Sequence, residues 1–174
     1  YKEGSLTDAE TLFSEALRKF PDNSDIYVSY AEVLADSKHY EKSIKNLDKA
    51  IELEEKAGSD NVSANALITK ANILASNPTV ENFVEASKLL EKANEKSPRN
   101  FKAKISLGQF KLQEGDLDEA LKLFEDSIDL AMSMEDKYIA IKLHEGVKTQ
   151  LRLKQDPYMS QKIDELLAQY AMGP

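Results

Sequence analysis

The chain has no cysteine and no tryptophan in 174 residues. Without cysteine there is no disulfide, no thiolate zinc site and no thiol nucleophile, and the usage fits a reducing compartment. Glycine and proline are scarce, at 6 and 5 residues, too few to punctuate the turns of an all-β fold. No stretch approaches the ~20 apolar residues of a membrane-spanning helix. The first dozen residues show no basic start followed by an apolar run, the pattern of a signal peptide. Positive charge is in the minority: 23 Lys and Arg stand against 31 Asp and Glu, for a formal net charge of −8. A general nucleic-acid binder needs stripes of Lys and Arg against phosphate, so this balance argues against one and allows a basic or amphipathic partner. The same acidity would also simply keep a helical array in solution.

Groups for catalysis are equally sparse. The two histidines, His39 and His144, lie far apart. His39 falls in a turn, and His144 has no carboxylate at metal-ligand spacing beyond its neighbour Glu145. Asp116-Leu117-Asp118-Glu119 lacks the dozen-residue loop with alternating oxygens that calcium requires, and reads as a helix start. Glu54 and Glu55 are adjacent and point apart. No Gly-rich phosphate loop is present. The four Met read as packing or adaptable surface. An enzyme is not expected, and no cofactor or metal is.

What the chain does have is helical periodicity. Phe101 to Leu130 reads as two amphipathic helices around a tight turn. Ile105, Leu107, Gly108 and Leu112 carry the packing face of the first. Ala120, Leu121, Leu123, Phe124, Ser127 and Ile128 recur at spacings of three and four in the second. Gly115 ends one helix and Asp116 caps the next, with Glu119 where a capping box wants it. Gly108 faces the second helix, where a side chain would hold the pair apart. This order resembles the tetratricopeptide repeat, whose period is ~34 residues.

The pattern recurs along the chain. Ala9, Phe13 and Ala16 show the spacing of Ala120, Phe124 and Ser127, in a helix expected over Leu6 to Phe20 after a Gly4-Ser5 turn. Pro21 ends it. A first helix from about Ser24 places Tyr27, Tyr30 and Ala31 where the repeat wants aromatic, large and small residues, and Tyr40 opens its partner. Ser43 follows Ala9 by 34 residues, Ala86 follows Ser43 by 43, and Ala120 follows Ala86 by 34. The surplus is placed in a loop over Glu54 to Ala64 and in the turn Ser76 to Thr79. Asp136 to Lys154 then reads as one longer helix with Ile139, Leu143, Val147 and Leu151 in step. Asp156-Pro157 starts a last helix carrying Met159, Ile163, Leu166, Leu167 and Tyr170.

The expected architecture is all-α: a right-handed superhelical tetratricopeptide solenoid of antiparallel helix pairs with C-terminal capping helices. Residues 1–23, 24–60, 61–100 and 101–135 form the repeats, the first of them truncated, and residues 136–174 seal the end. The chain lacks an initiator Met and opens as if in mid-repeat, so a fragment of a longer protein is expected. First helices would line a concave surface. Period counting puts Val28, Glu32, Ala35, Ile68, Asn72, Ala75, Ile105, Gln109 and Leu112 there, a mixed surface suited to a peptide with hydrophobic anchors. Alternatively, Val28, Ile68 and Ile105 are covered by neighbouring helices.

A closer resemblance rests on residues outside the repeat consensus. These include Ala71-Asn72-Ile73-Leu74, Asn77-Pro78-Thr79-Val80-Glu81-Asn82-Phe83 and Leu89-Leu90-Glu91-Lys92-Ala93. Pro98-Arg99, Leu107-Gly108-Gln109, Leu123-Phe124-Glu125-Asp126-Ser127 and Asp156-Pro157 follow in the same order. Together they resemble the C-terminal tetratricopeptide domain of the fungal seventy-kilodalton import receptors of the mitochondrial outer-membrane translocase. The resemblance implies a domain that receives preproteins with internal targeting signals, such as inner-membrane carriers, at the cytosolic face of the outer membrane beside other translocase subunits. The family's membrane anchor and chaperone-tail clamp would lie outside this chain. At the clamp's places stand Val28, Glu32, Thr69, Lys102 and Ser106, of which only Lys102 fits. The other open reading is a scaffold or self-association module that binds a folded protein or a second copy.

Overall fold

A computed structural model describes residues 3–57, 64–77 and 79–171. Among them are nine α-helices and no strand. The chain divides into two compact units, Tyr1–Leu107 and Gly108–Pro174.

The first unit holds α1 (Glu3–Lys19), α2 (Ser24–Asp36), α3 (Tyr40–Lys56), α4 (Asn65–Ser76), α5 (Val80–Lys96) and the first half of α6 (Phe101–Glu114). Helix starts follow local chemistry. Asn23 caps α2 by accepting from the Asp25 N–H at 3.0 Å, and Thr79 caps α5 through the Asn82 N–H at 3.1 Å. Within each pair α2 packs on α3 and α4 on α5, while α3 packs on α4 and the first helices α2 and α4 touch each other. The seam between these helices is built largely of alanine. Ala31, Ala50, Ala66, Ala71, Ala86, Ala93 and Ala103 are fully buried, among them Leu34, Leu47 and Leu90. Small side chains let helix backbones approach, and the larger ones interdigitate beside them. Ser43, at one of the small-residue places, is fully buried and donates its hydroxyl to the Ala31 carbonyl at 2.7 Å, tying α3 to α2.

One brace in this unit is ionic. The Lys70 ammonium on α4 sits 2.8 Å from Asp48 on α3 and 3.3 Å from Glu85 on α5, with its side chain 12% exposed. Burial pushes its pKa down, but the two carboxylates outweigh that and hold it above the ordinary lysine value. A second cluster joins α1 to α2 and α3. Phe13 stacks on Tyr30 with centroids 5.1 Å apart, the Tyr30 hydroxyl donates to Glu10 at 3.3 Å, and Lys42 pairs with Glu10 at 2.9 Å.

The second unit holds the rest of α6, α7 (Leu117–Leu130), α8 (Met134–Gln155) and α9 (Pro157–Ala171). Gly108 meets the fully buried ring of Phe124: a Cβ at position 108 would lie 2.5 Å from Phe124 Cε1. Gly115 turns the chain at φ +84°, and Asp116 accepts from the Glu119 N–H at 3.2 Å. Leu117, Ala120, Leu123, Phe124 and Ser127 are the buried face of α7. α7 packs on α8, and α8 on α9.

Several expectations are corrected. α1 runs unbroken from Glu3, so Gly4-Ser5 is no turn. A glycine in a first turn costs little, since its N–H lacks an intrahelical partner anyway, and only a positive φ would have forced a break. On α8 the inward stripe passes through Ala140 and Val147, with Leu143 and Leu151 half-buried, whereas Ile139 is 41% exposed. A shift of one residue turns a side chain by about 100° around a helix, which separates Ile139 from Ala140. α9 buries no residue, and Leu166, Leu167 and Tyr170 of its expected packing face are exposed. The expected loop over Glu54 to Ala64 is displaced at its start, because α3 continues to Lys56, and its Gly58 to Asn61 marker lies outside the described residues.

Candidate peptide-binding face

The first helices present their sequence-predicted residues in two ways. On α2, Val28 is 3% exposed and belongs to the core with Ala31, Leu47, Ala50, Ala66 and Ile73, while Glu32 is exposed and Ala35 half-buried. On α4, Ile68 is 4% exposed, and Asn72 and Ala75 are exposed. On the part of α6 within the first unit, Ile105 is half-buried. The second unit carries Gln109, exposed, and Leu112, half-buried. The solvent therefore meets Glu32, Asn72, Ala75 and Gln109, and Val28 and Ile68 lie beneath. The period that finds the helix face does not tell its centre from its edge: Val28 packs among residues of α3 and α4, and Ile68 is buried likewise.

A feature not singled out from the sequence accompanies Glu32. Ser29 and Asp36 are exposed at spacings of three and four from it and Asp25 at seven, and α2 contains no Lys or Arg. Asp36 stands in the last turn, where the helix dipole is itself negative, and Glu32 lies one turn before it. The signal was legible as a 13-residue helix with three acids and no base. Of the chaperone-clamp places, Val28 and Thr69 are buried, Ser106 is half-buried, and Glu32 and Lys102 are exposed.

Among the described residues no three His, Asp or Glu come together to hold a metal ion. His144 Nδ1 lies 3.8 Å from Glu145, and Lys148 takes the same carboxylate at 3.3 Å. The Lys92 ammonium, 2.8 Å from Glu55, holds that carboxyl below its ordinary value, aided by Lys96. Such surface pairs, within α8 and between α3 and α5, are modest electrostatic contacts. No helix among the described residues is long and apolar enough to cross a membrane.

Paired helices with a small-residue seam define a helical repeat protein. Residues 1–70 and 80–131 match the tetratricopeptide repeat, and the chain belongs to that family. Within it, the chain is 49% identical over 168 residues to the mitochondrial import receptor subunit TOM70 of Saccharomyces cerevisiae, covering 97% of this chain and 27% of that protein. The rat protein of the same name is 29% identical over 121 residues, or 70% of this chain and 18% of that protein. The chain thus spans about a quarter of the length of the yeast relative. The crystal structure of yeast Tom70 superposes with a TM-score of 0.82 at 49% identity, over 95% of this chain and 34% of that one. The structure of MamA, 16% identical with a TM-score of 0.57 over 88% of this chain and 92% of that one, shares the fold.

Proposed function

We propose that this chain is the preprotein-binding part of a mitochondrial outer-membrane import receptor, working at the cytosolic face of that membrane. It takes internal targeting signals of hydrophobic precursors such as inner-membrane carriers, and it hands them on beside other translocase subunits. It acts by binding and not by catalysis. The observation that carries this reading is the 49% identity to an import receptor subunit across 97% of the chain. The exposed first-helix residues support it. In the first unit Glu32, Asn72 and Ala75 would contact the peptide with Ala35 and Ile105 at the edge, while Val28 and Ile68 hold that surface up from below. In the second unit Gln109 and Leu112 would do the same.

The test is an array of overlapping carrier segments, cleavable presequences and chaperone C-terminal tails, probed at low and high salt. Carrier segments should bind and survive salt, and chaperone tails should not bind. Ala75→Glu, an exposed change, should weaken carrier binding about tenfold, as a charge set into an apolar contact does. If Ala75→Glu and Gln109→Glu both leave binding unchanged, the first-helix face is not the receptor surface.

A second reading has its own observation. In the second unit Met132, Met134, Tyr138, Leu166, Leu167 and Tyr170 are all more than half exposed. Exposed apolar surface of this kind fits a scaffold or self-association role. A mass that rises with concentration, together with loss of peptide binding on association, would favour it over the receptor reading.

A further inference from the structure

α8 differs in charge from the chain that carries it. From Lys137 to Gln155 its bases are Lys137, Lys142, Lys148, Arg152 and Lys154 and its one acid is Glu145, in a chain whose formal net charge is −8. Glu145 is taken up by Lys148 at 3.3 Å. The start of the same helix is apolar on its outside. Met134 is 83% exposed, Tyr138 60% and Ile141 41%, and Met132 in the turn before them is 99% exposed. Met134, Tyr138 and Ile141 follow at spacings of four and three, which sets them along one stripe, away from the buried Ala140 and Val147. The Lys142 ammonium lies 5.2 Å from the centroid of the Tyr138 ring, so cation and ring stand together on the surface. Lys137 is exposed beside the stripe.

We propose that the start of α8 docks on an anionic lipid surface. Met132, Met134 and Ile141 enter the interface, Tyr138 sits at headgroup depth, and Lys137 and Lys142 meet the headgroup charge. Bases clustered on an amphipathic helix are drawn to such a surface even in an acidic chain, because charges beyond a Debye length of ~8 Å are screened. The apolar stripe argues against a nucleic acid, to whose phosphates thioethers and isoleucine add nothing. Interfaces between proteins are depleted of lysine, whereas lysine at a membrane lays its stem along apolar surface and keeps its head in water. A side chain as exposed as Met132 stands on a projecting turn and not in a groove, which suits a soft surface better than a shaped partner. The contact uses no residue of the first-helix face, and a second copy of the chain is the rival occupant.

The chain has no tryptophan, so Met134→Trp supplies a lone indole reporter at the contact. The test mixes it, and the unaltered chain, with vesicles of one part phosphatidylserine to two parts phosphatidylcholine, or of phosphatidylcholine alone, at physiological salt. Anionic vesicles should shift the indole emission to the blue and float the unaltered chain, and neutral vesicles should do neither. Lys137→Gln/Lys142→Gln keeps both stems and should weaken flotation roughly thirtyfold, about fivefold for each cation near an anionic surface. Met132→Ser/Met134→Ser should weaken it at least about fivefold. Lys19→Gln/Lys45→Gln removes the same charge from exposed places in the first unit and should leave flotation unchanged. Equal flotation on neutral vesicles, equal loss with the first-unit pair, or full flotation of the methionine pair would each overturn the proposal. A blue shift that appears without vesicles and grows with concentration would overturn it too, and would give the surface to a second copy. All six side chains changed in these pairs are exposed, so circular dichroism melts should match the parent and keep loss of fold from being read as loss of contact.

Discussion

Replacing Gly108 by alanine tests the closest approach in the second unit. An alanine Cβ there would lie 2.5 Å from Phe124 Cε1, 2.9 Å from Cδ1 and 3.0 Å from Cζ. Carbon atoms in contact normally stand about 3.5–4.0 Å apart, so about 1 Å of movement is required. Phe124 is fully buried and cannot swing into solvent. Overpacking of this kind costs about 1–3 kcal/mol. Alanine returns about 1 kcal/mol in helix propensity because position 108 lies inside α6. The net expectation is a loss of about 0–2 kcal/mol, or a fall in Tm of up to roughly 8 °C for a chain of this size. Urea unfolding followed at 222 nm measures it. Phe124→Leu should cost stability alone yet restore part of the loss in Gly108→Ala, so the two changes should couple. A Gly108→Ala chain more stable than the parent, or an additive double variant, would refute the steric account.

Lys38 sits at φ +64°, a left-handed conformation that a side chain strains. Lys38→Gly should therefore stabilise by about 1 kcal/mol in the same urea assay, and a loss of stability would contradict that. Ser43→Ala removes the buried 2.7 Å bond to the Ala31 carbonyl and should cost about 1–2 kcal/mol, read as faster hydrogen exchange in α2 and α3. Lys70 has a raised folded pKa, so its contribution is complete below the ordinary lysine value and is lost as pH rises through the folded one. The difference in Tm between the parent and Lys70→Met should stay flat up to about pH 10 and shrink above it, and a difference that shrinks on acidification alone would reverse the assignment.

Much of the fold was legible because the repeat is written in small residues. Ser43, Ala86 and Ala120, found by counting, are all fully buried. The starts of α2 at Ser24 and α9 at Pro157 follow from local caps and proline, which act within a turn of the chain. What sequence could not give was anything decided by the neighbouring helix. Val28 and Ile68 carry the period of an exposed face and the chemistry of a core, and the packed helices bury both, Val28 among residues of α3 and α4. Lys70 reads as one charge among many until α3 and α5 each bring a carboxylate to it. Ile139 fell on the wrong side of α8 because Ala140 is as good an inward residue as any large one.

The alanine seam makes substitution lopsided. At Leu34, Leu47 or Leu90 a smaller side chain leaves a void, and the helices can settle part of the way into it. At Ala31, Ala50, Ala71, Ala86 or Ala93 the change that chemistry allows most readily is toward something larger, and each such change acts as a wedge between two helix axes. A wedge there alters the angle of one helix pair on the next, and in a chain of pairs each contacting mainly its neighbours that tilt is carried to the further helices of the first unit. Drift at the seam would thus register as a change in the spacing of distant surface residues before it registered as unfolding.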